Sequence, residues 1–170
     1  MDTKVKVKKD YDSSAPFYEK RYRSIQWEKY EKMINLADLV DFPPKGKILD
    51  LGCGTGLLSE FLQKRIIGTD ISFKMLQEAQ PREAVVQADM DALPFQDAVF
   101  NAVLSFTALQ NLPSLDYVFG EVRRVLKRNR PFIFTILKKK FSESVIEKVN
   151  SHFEISQRKE CGEDVGFVCW

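Results

Sequence analysis

The chain has 170 residues, 44% hydrophobic and 29% charged, and its 26 lysines and arginines against 24 aspartates and glutamates leave a formal net charge of +2. That length fits one domain with a three-layer core and is too short for a large second one, and the apolar and charged fractions exclude a disordered or membrane-embedded composition. No apolar run approaches the length that spans a bilayer, and Met1-Asp2-Thr3-Lys4-Val5-Lys6 lacks a secretory apolar core, so a cytoplasmic location is expected.

Residues 11–41 read as helical and rich in aromatics, with Tyr11, Phe17, Tyr18, Tyr22, Trp27 and Tyr30; for most of these, packing by an apolar helix face is explanation enough. Asp41-Phe42-Pro43-Pro44-Lys45-Gly46 reads as a linker, dividing a helical segment over 1–42 from a core over 43–170. A strand over 47–51 then meets a glycine-rich turn, and a helix follows over 56–64. A second strand spans 65–70, after which Ser72 caps a helix to about residue 79. Further strands are expected over 84–89, 100–105 and 132–137, with a helix over 115–126 between the last two. Ser142-Glu143-Ser144 opens a final helix that is amphipathic over 143–149. Alternating strands and helices argue for a parallel sheet covered on both faces. The tail differs: strands over 153–159 and 165–170, joined by Cys161-Gly162-Glu163-Asp164, make an antiparallel hairpin that a dinucleotide-binding fold lacks.

The most informative stretch is Asp50-Leu51-Gly52-Cys53-Gly54-Thr55-Gly56, where an apolar run ends in an acid and three glycines lead into Leu57-Leu58. Glycines let the backbone turn at positive φ and let a ligand lie against it without an intervening Cβ. A dinucleotide fingerprint, G-x-G-x-x-G, aims a helix N-terminus at a pyrophosphate. Here the third glycine comes one residue early, and Asp50 stands two residues before the first. That carboxylate repels an anion and favours a ligand carrying an ammonium or sulfonium group. Asp50, Asp70 and Asp89 fall at the carboxyl ends of three strands, where open α/β sheets bind ligands. Aspartate is common in turns and caps, but three in register with a glycine loop ask for more than that.

This stretch resembles motif I of the class I S-adenosylmethionine-dependent methyltransferases, and the likeness runs from about Tyr11 to Trp170. It takes in the Asp91-Ala92-Leu93-Pro94-Phe95 loop before the fourth strand and is similar to the small, single-domain "methyltransferase type 11" group. The resemblance implies a three-layer αβα sandwich of the Rossmann-like methyltransferase type: a seven-stranded, mostly parallel sheet whose last strand is antiparallel. It implies S-adenosyl-L-methionine as cofactor and S-adenosyl-L-homocysteine as product. Asp70 would accept both ribose hydroxyls, a device that dehydrogenases share. Asp89 would accept from the adenine amino group, with Ile71 and Met90 around the ring and Met75 nearby. Asp50 would face the methionine ammonium, directly or through water, and the loop Gly52, Cys53 and Gly54 would line the methionyl chain. Ser105 and Phe106 would meet the transferring methyl region through main-chain groups. An Ala-x-x-Tyr pattern at Ala15 to Tyr18 suggests a lid, with Tyr18 and Tyr22 as its aromatics.

Methyl transfer from a sulfonium is an in-line displacement, so the protein contributes mainly positioning and desolvation, and no residue stands out as a general base. Ser105-Phe106-Thr107-Ala108 lacks the Asn/Asp-Pro-Pro-Tyr/Phe of many amide and exocyclic-amine methyltransferases. Asn111 and Asp116 are too few for a metal-dependent enzyme, and the three cysteines form no C-x-x-C pair. Cys161 and Cys169 could face each other across the hairpin, but two reduced thiols are expected. His152 has the place of a helix-end residue. Lys127-Arg128-Asn129-Arg130-Pro131 stands where relatives commonly have Lys-Pro-Gly-Gly, implying a stiffer turn. Basic charge continues with Arg123, Arg124, Lys138, Lys139 and Lys140, and a basic stripe is the footprint of nucleic acid binding. Residues 123–130 precede the fifth strand and should be structural. Lys138, Lys139 and Lys140 follow it, at the active-site edge. The leading expectation is therefore an RNA or translation-related acceptor. The alternatives are a small metabolite bound in a large apolar pocket beneath the lid, or a cofactor-binding subunit that needs a small activator protein.

Overall fold

The computed structural model describes residues 3–34, 45–79 and 83–170. A long helix, α1 (Thr3–Ile34), precedes β1 (Ile48–Leu51), α2 (Leu57–Phe61), β2 (Ile66–Asp70), α3 (Phe73–Gln77) and β3 (Glu83–Gln87). Then come β4 (Ala102–Phe106), a 3₁₀ turn (Leu109–Asn111), α4 (Asp116–Val125), β5 (Phe132–Leu137), α5 (Glu143–Asn150), β6 (Ile155–Cys161) and β7 (Asp164–Cys169). The described residues form one seven-stranded sheet in the order β3-β2-β1-β4-β5-β7-β6. The β1–β5 pairings are parallel, and β7 runs antiparallel to both β5 and β6. This is the expected mostly parallel sheet with an antiparallel final strand. The strand order reverses direction beside β1, so the carboxyl ends of β1 and β4 border a crevice.

Alternating side chains divide between two cores. Leu49, Leu51, Phe132, Phe134 and Ile136 pack on one face against Val118, Phe119 and Val122 of α4 and Val145 and Val149 of α5. Ile48, Leu104 and Ile133 face the other way, onto Tyr30 and Met33 of α1 and Leu57 and Leu58 of α2. A strand buried on both faces is mostly apolar, and β1, β4 and β5 each carry a single polar residue, Asp50, Ser105 and Thr135, which is buried with the rest.

Some boundaries differ from expectation. The first helix begins at Thr3, eight residues earlier than its aromatic content suggests. Gln63 takes a positive φ of 51° and stops α2 after barely a turn. Asn129 supplies the left-handed residue (φ 53°) that a glycine provides in a Pro-Gly-Gly turn, a conformation asparagine tolerates. Most of the expected linker, 41–44, lies outside the described residues. Cys161 and Cys169 do not face each other: Cys161 pairs with Asp164 and Cys169 with Ile155, at opposite ends of the hairpin, because the turn lies immediately after Cys161. All three cysteines are buried. His152 lies just past Ser151, the C-cap of α5, its backbone N–H donating to the Val149 carbonyl.

Candidate functional site

The glycine turn is pinned to the end of β2: Gly52 and Cys53 both donate backbone N–H groups to the Thr69 carbonyl, at 2.8 and 2.9 Å. Gly52 (φ 80°) has no alternative residue, since a Cβ there would lie 2.6 Å from both the Ala108 Cβ and the Met90 Cε. Gly54 (φ 56°) is different. A Cβ there would meet only Tyr18, at 3.9 Å, so open space lies above the turn beneath an aromatic of α1.

Asp70, ending β2, accepts from the Gly54 N–H at 3.0 Å and the Ser72 N–H at 2.8 Å. Burial raises its carboxyl above the usual range, and the backbone hydrogen bonds oppose that shift. These bonds leave acceptor capacity for hydroxyl donors, because a carboxylate offers about four lone-pair sites. Ser72 caps α3 by accepting from the Met75 N–H and donates to Asp12 of α1. Asp50 is buried in β1, and burial followed by the neighbouring Asp70 pushes its carboxyl up to about 8. It is therefore largely protonated at neutral pH, and an arriving cation would favour its ionised form. Asp89 accepts from the Asp91 N–H and pairs with Lys4 Nζ at 2.7 Å; the same ammonium reaches Asp91.

Gly52, Gly54, Asp70 and Asp89 border a cleft of about 640 Å³, counted out to its open mouth. The structure brings together Gly52, Gly54 and Asp70, then Ile71, Met75, Asp89 and Met90, with Phe106 and Tyr18 closing the wall. The side chains of three other candidates lie behind it: Asp50, Cys53, and Ser105, whose Oγ donates to the Leu51 carbonyl and staples β4 to β1. Tyr22 borders a neighbouring cleft instead, its ring centroid 4.9 Å from that of Tyr18. Sequence reasoning missed Lys4, Tyr11, Thr107 and Asn111, which also border the first cleft. For the first two a signal exists, since Lys4, Tyr11 and Tyr18 recur every seven residues and so share one helix face. Tyr11 Oη accepts from Asn111 Nδ2 at 3.0 Å. Burial raises the phenols of Tyr11 and Tyr18, which stay neutral hydroxyls.

The second cleft, about 940 Å³ counted out to its open mouth, lies between α1 and the segments that follow β4 and β5, with Glu163 of the β6–β7 turn at its edge. It shares Tyr11, Tyr18, Thr107 and Asn111 with the first, so the two meet at those residues. Its wall mixes apolar surface with many polar side chains, among them Asp10, Ser14, Gln26 and Lys139. Of the other basic residues, Lys138 pairs with Glu160 at 2.7 Å. Arg124 bonds Glu121, Asp97 and the carbonyls of Leu93 and Phe95, and thereby holds the loop before β4.

A family model described as a methyltransferase domain matches residues 49–134. A malonyl-[acyl-carrier protein] O-methyltransferase of Methylovorus sp. (strain MP688) is 32% identical over 151 residues, 79% of this chain and 50% of that protein. The chain spans about half the length of the curated relatives it matches. Among solved structures, magnesium protoporphyrin IX methyltransferase from Synechocystis PCC 6803 with bound S-adenosylmethionine superposes with a TM-score of 0.80 at 19% identity, covering 99% of this chain and 97% of that one. The Haloferax volcanii methyltransferase complexed with the Trm112 methyltransferase activator gives 0.77 at 16% identity, covering 94% and 96%. At those identities the likeness is one of fold.

Proposed function

This chain belongs to the methyltransferase-domain family, and from that premise we propose that it is an S-adenosylmethionine-dependent methyltransferase whose acceptor is a small molecule entering the second cleft beneath α1. The observation that carries the reading is the junction of the two clefts at Tyr11, Tyr18, Thr107 and Asn111. When bound, the cofactor supplies an electrophilic methyl group on a sulfonium sulfur and a neutral thioether leaving group. The residues fit it. Gly54 leaves open space where backbone must approach a ligand, Asp70 retains acceptor capacity for a vicinal diol, and Asp89, paired with Lys4 and bonded by the Asp91 N–H, keeps lone pairs for an amine. Asp50 supplies a buried counter-charge for an ammonium group, losing its proton as the cation arrives.

Displacement at a methyl carbon gains most from holding two reactants in line and away from water. On this reading α1 serves as a lid segment over a core that begins after residue 42, with Tyr11 and Tyr18 covering the junction. An acceptor with hydrogen-bonding groups suits the second cleft better than an apolar one, given its wall of hydroxyls, amides and charges. RNA has less support: Lys138 is paired with Glu160, and Lys139 shares its cleft with Asp10 and Glu163, acids that repel a phosphate backbone.

Calorimetry with S-adenosylmethionine and S-adenosylhomocysteine, on wild type and Asp70→Ala, tests the cofactor. Binding that collapses in the variant supports the reading; no binding by wild type overturns it. Labelled-methyl assays then compare a malonyl thioester, after the acceptor in a relative's name, with other polar small acids and with RNA. Transfer to RNA alone overturns the small-acceptor reading. If cofactor binds without transfer, a small activator protein is the component to add, since the Haloferax volcanii neighbour was captured with one.

A further inference from the structure

Thr107 lies where the two clefts meet and takes a φ of 54°, a left-handed conformation that is a true outlier for a β-branched residue. All its polar groups are anchored. Its N–H donates to Thr135 Oγ1 at 3.0 Å, and its carbonyl accepts from Gln110 Nε2. Its Oγ1 donates to Asp164 Oδ2 at 2.7 Å and accepts from Lys29 Nζ, also at 2.7 Å. Behind it, Asp164 is fully buried and accepts from Lys29 at 3.0 Å and Thr135 at 2.7 Å. Lys29 is itself only 4% exposed.

Two charges from distant parts of the chain, α1 and the start of β7, are thus desolvated around two hydroxyls, those of Thr107 and Thr135, and Lys29 bonds the first of them directly. A buried ion pair adds little net stability, and an apolar pair of the same volume often does as well or better. Fold stability alone therefore gives no reason for the pair, whereas the shape it imposes does. The left-handed turn at Thr107 carries Ala108 back onto the glycine turn, so close that no Cβ fits at Gly52. Phe106, Thr107 and Ala108 become the wall of the first cleft, and Thr107 also borders the second.

We propose that Thr107 is a positioning residue: the Lys29–Asp164 pair locks its left-handed conformation, and the lock sets the wall at which methyl donor and acceptor meet. The proposal rests on the methyltransferase reading above. It also makes α1 and that wall one mechanical unit, because Lys29 belongs to the helix that covers both clefts.

The test uses the full chain, with Thr107→Gly and Thr107→Ser beside wild type, read by thermal midpoint and by S-adenosylhomocysteine affinity. Glycine adopts the left-handed region without strain, which offsets the lost hydroxyl bonds, so the Thr107→Gly midpoint should move little. Its affinity should nevertheless fall about tenfold, with serine, which keeps the hydroxyl, recovering most of it. A Thr107→Gly protein that binds like wild type, or that fails to fold, assigns the residue a structural role and overturns the proposal. Wild type that does not bind overturns the cofactor reading itself, a different result from normal binding by the variant.

Discussion

Met33, in the last turn of α1, is fully buried against β7, and a side chain at Gly166 would have to displace its tip. A Cβ there would overlap Met33 Sδ and lie 2.7 Å from its Cε. Overpacking of this kind costs about 1–3 kcal/mol, and alanine in a strand regains about 0.5–1 kcal/mol of chain entropy. Gly166→Ala should therefore lose about 1–2 kcal/mol, which for a domain of this size lowers the thermal midpoint by roughly 2–8 °C. Met33→Ala alone should cost about 2–5 kcal/mol through the cavity it opens. In the double variant the new methyl group enters that cavity, so the combined loss should fall short of the sum by about 1 kcal/mol or more. Urea or thermal unfolding of the four proteins measures all three quantities. An unchanged midpoint for Gly166→Ala, or strict additivity in the double variant, would refute the claim that this contact seats α1 on the sheet.

Asp50 gives a pH signature. Its carboxyl is raised by burial from an ordinary value of 3.8 to about 8, so its cost to folding is absent below pH 4, grows as pH rises towards 8, and is fully felt above. Asp50→Asn should then raise the thermal midpoint of the ligand-free protein more at pH 8 than at pH 5; equal shifts at the two values would contradict this. The two glycines of the turn should separate: Gly52→Ala meets Ala108 and Met90 and should disrupt the fold locally, seen as lost near-UV dichroism. Gly54→Ala should cost only about 1 kcal/mol of left-handed strain while markedly weakening cofactor binding, and a variant that binds normally would argue against close approach there. Arg124→Met removes bonds to Glu121, Asp97 and two loop carbonyls and should destabilise the chain by about 1–3 kcal/mol, with faster hydrogen exchange over 93–97. No change in either would show the clamp to be ornamental.

Much of the scaffold was legible from local chemistry. Strand β5 was read at its full length because both of its faces are buried and its run of β-formers is interrupted only by the β-branched Thr135. The turn over 52–56 was legible because positive φ is a property of single residues, and glycine announces it. Ser72 was recognised as a cap for the same reason, since a hydroxyl reaches the N–H three residues on. Strand ends were less certain: β3 stops at Gln87 and leaves Asp89 in a turn, because pairing with β2 ends at Asp70.

The amino-acid sequence by itself determined the alternation of strands and helices, the glycine turn and the three acids at or near strand ends, since each follows from preferences acting over a few neighbouring residues. Only the tertiary structure decided which side chains of α1 reach the clefts, because that depends on how the helix lies across the sheet. Lys4 meets Asp89 across 85 residues, and Lys29 meets Asp164 across 135. Asp164 and Thr107 carry no local mark of their roles; one ends a turn and the other follows a strand, until packing brings a lysine between them. The second cleft is built from α1, the segments after β4 and β5, and the β6–β7 turn. No short stretch of sequence encodes such a cavity, because convergence of distant segments is a property of the packed core.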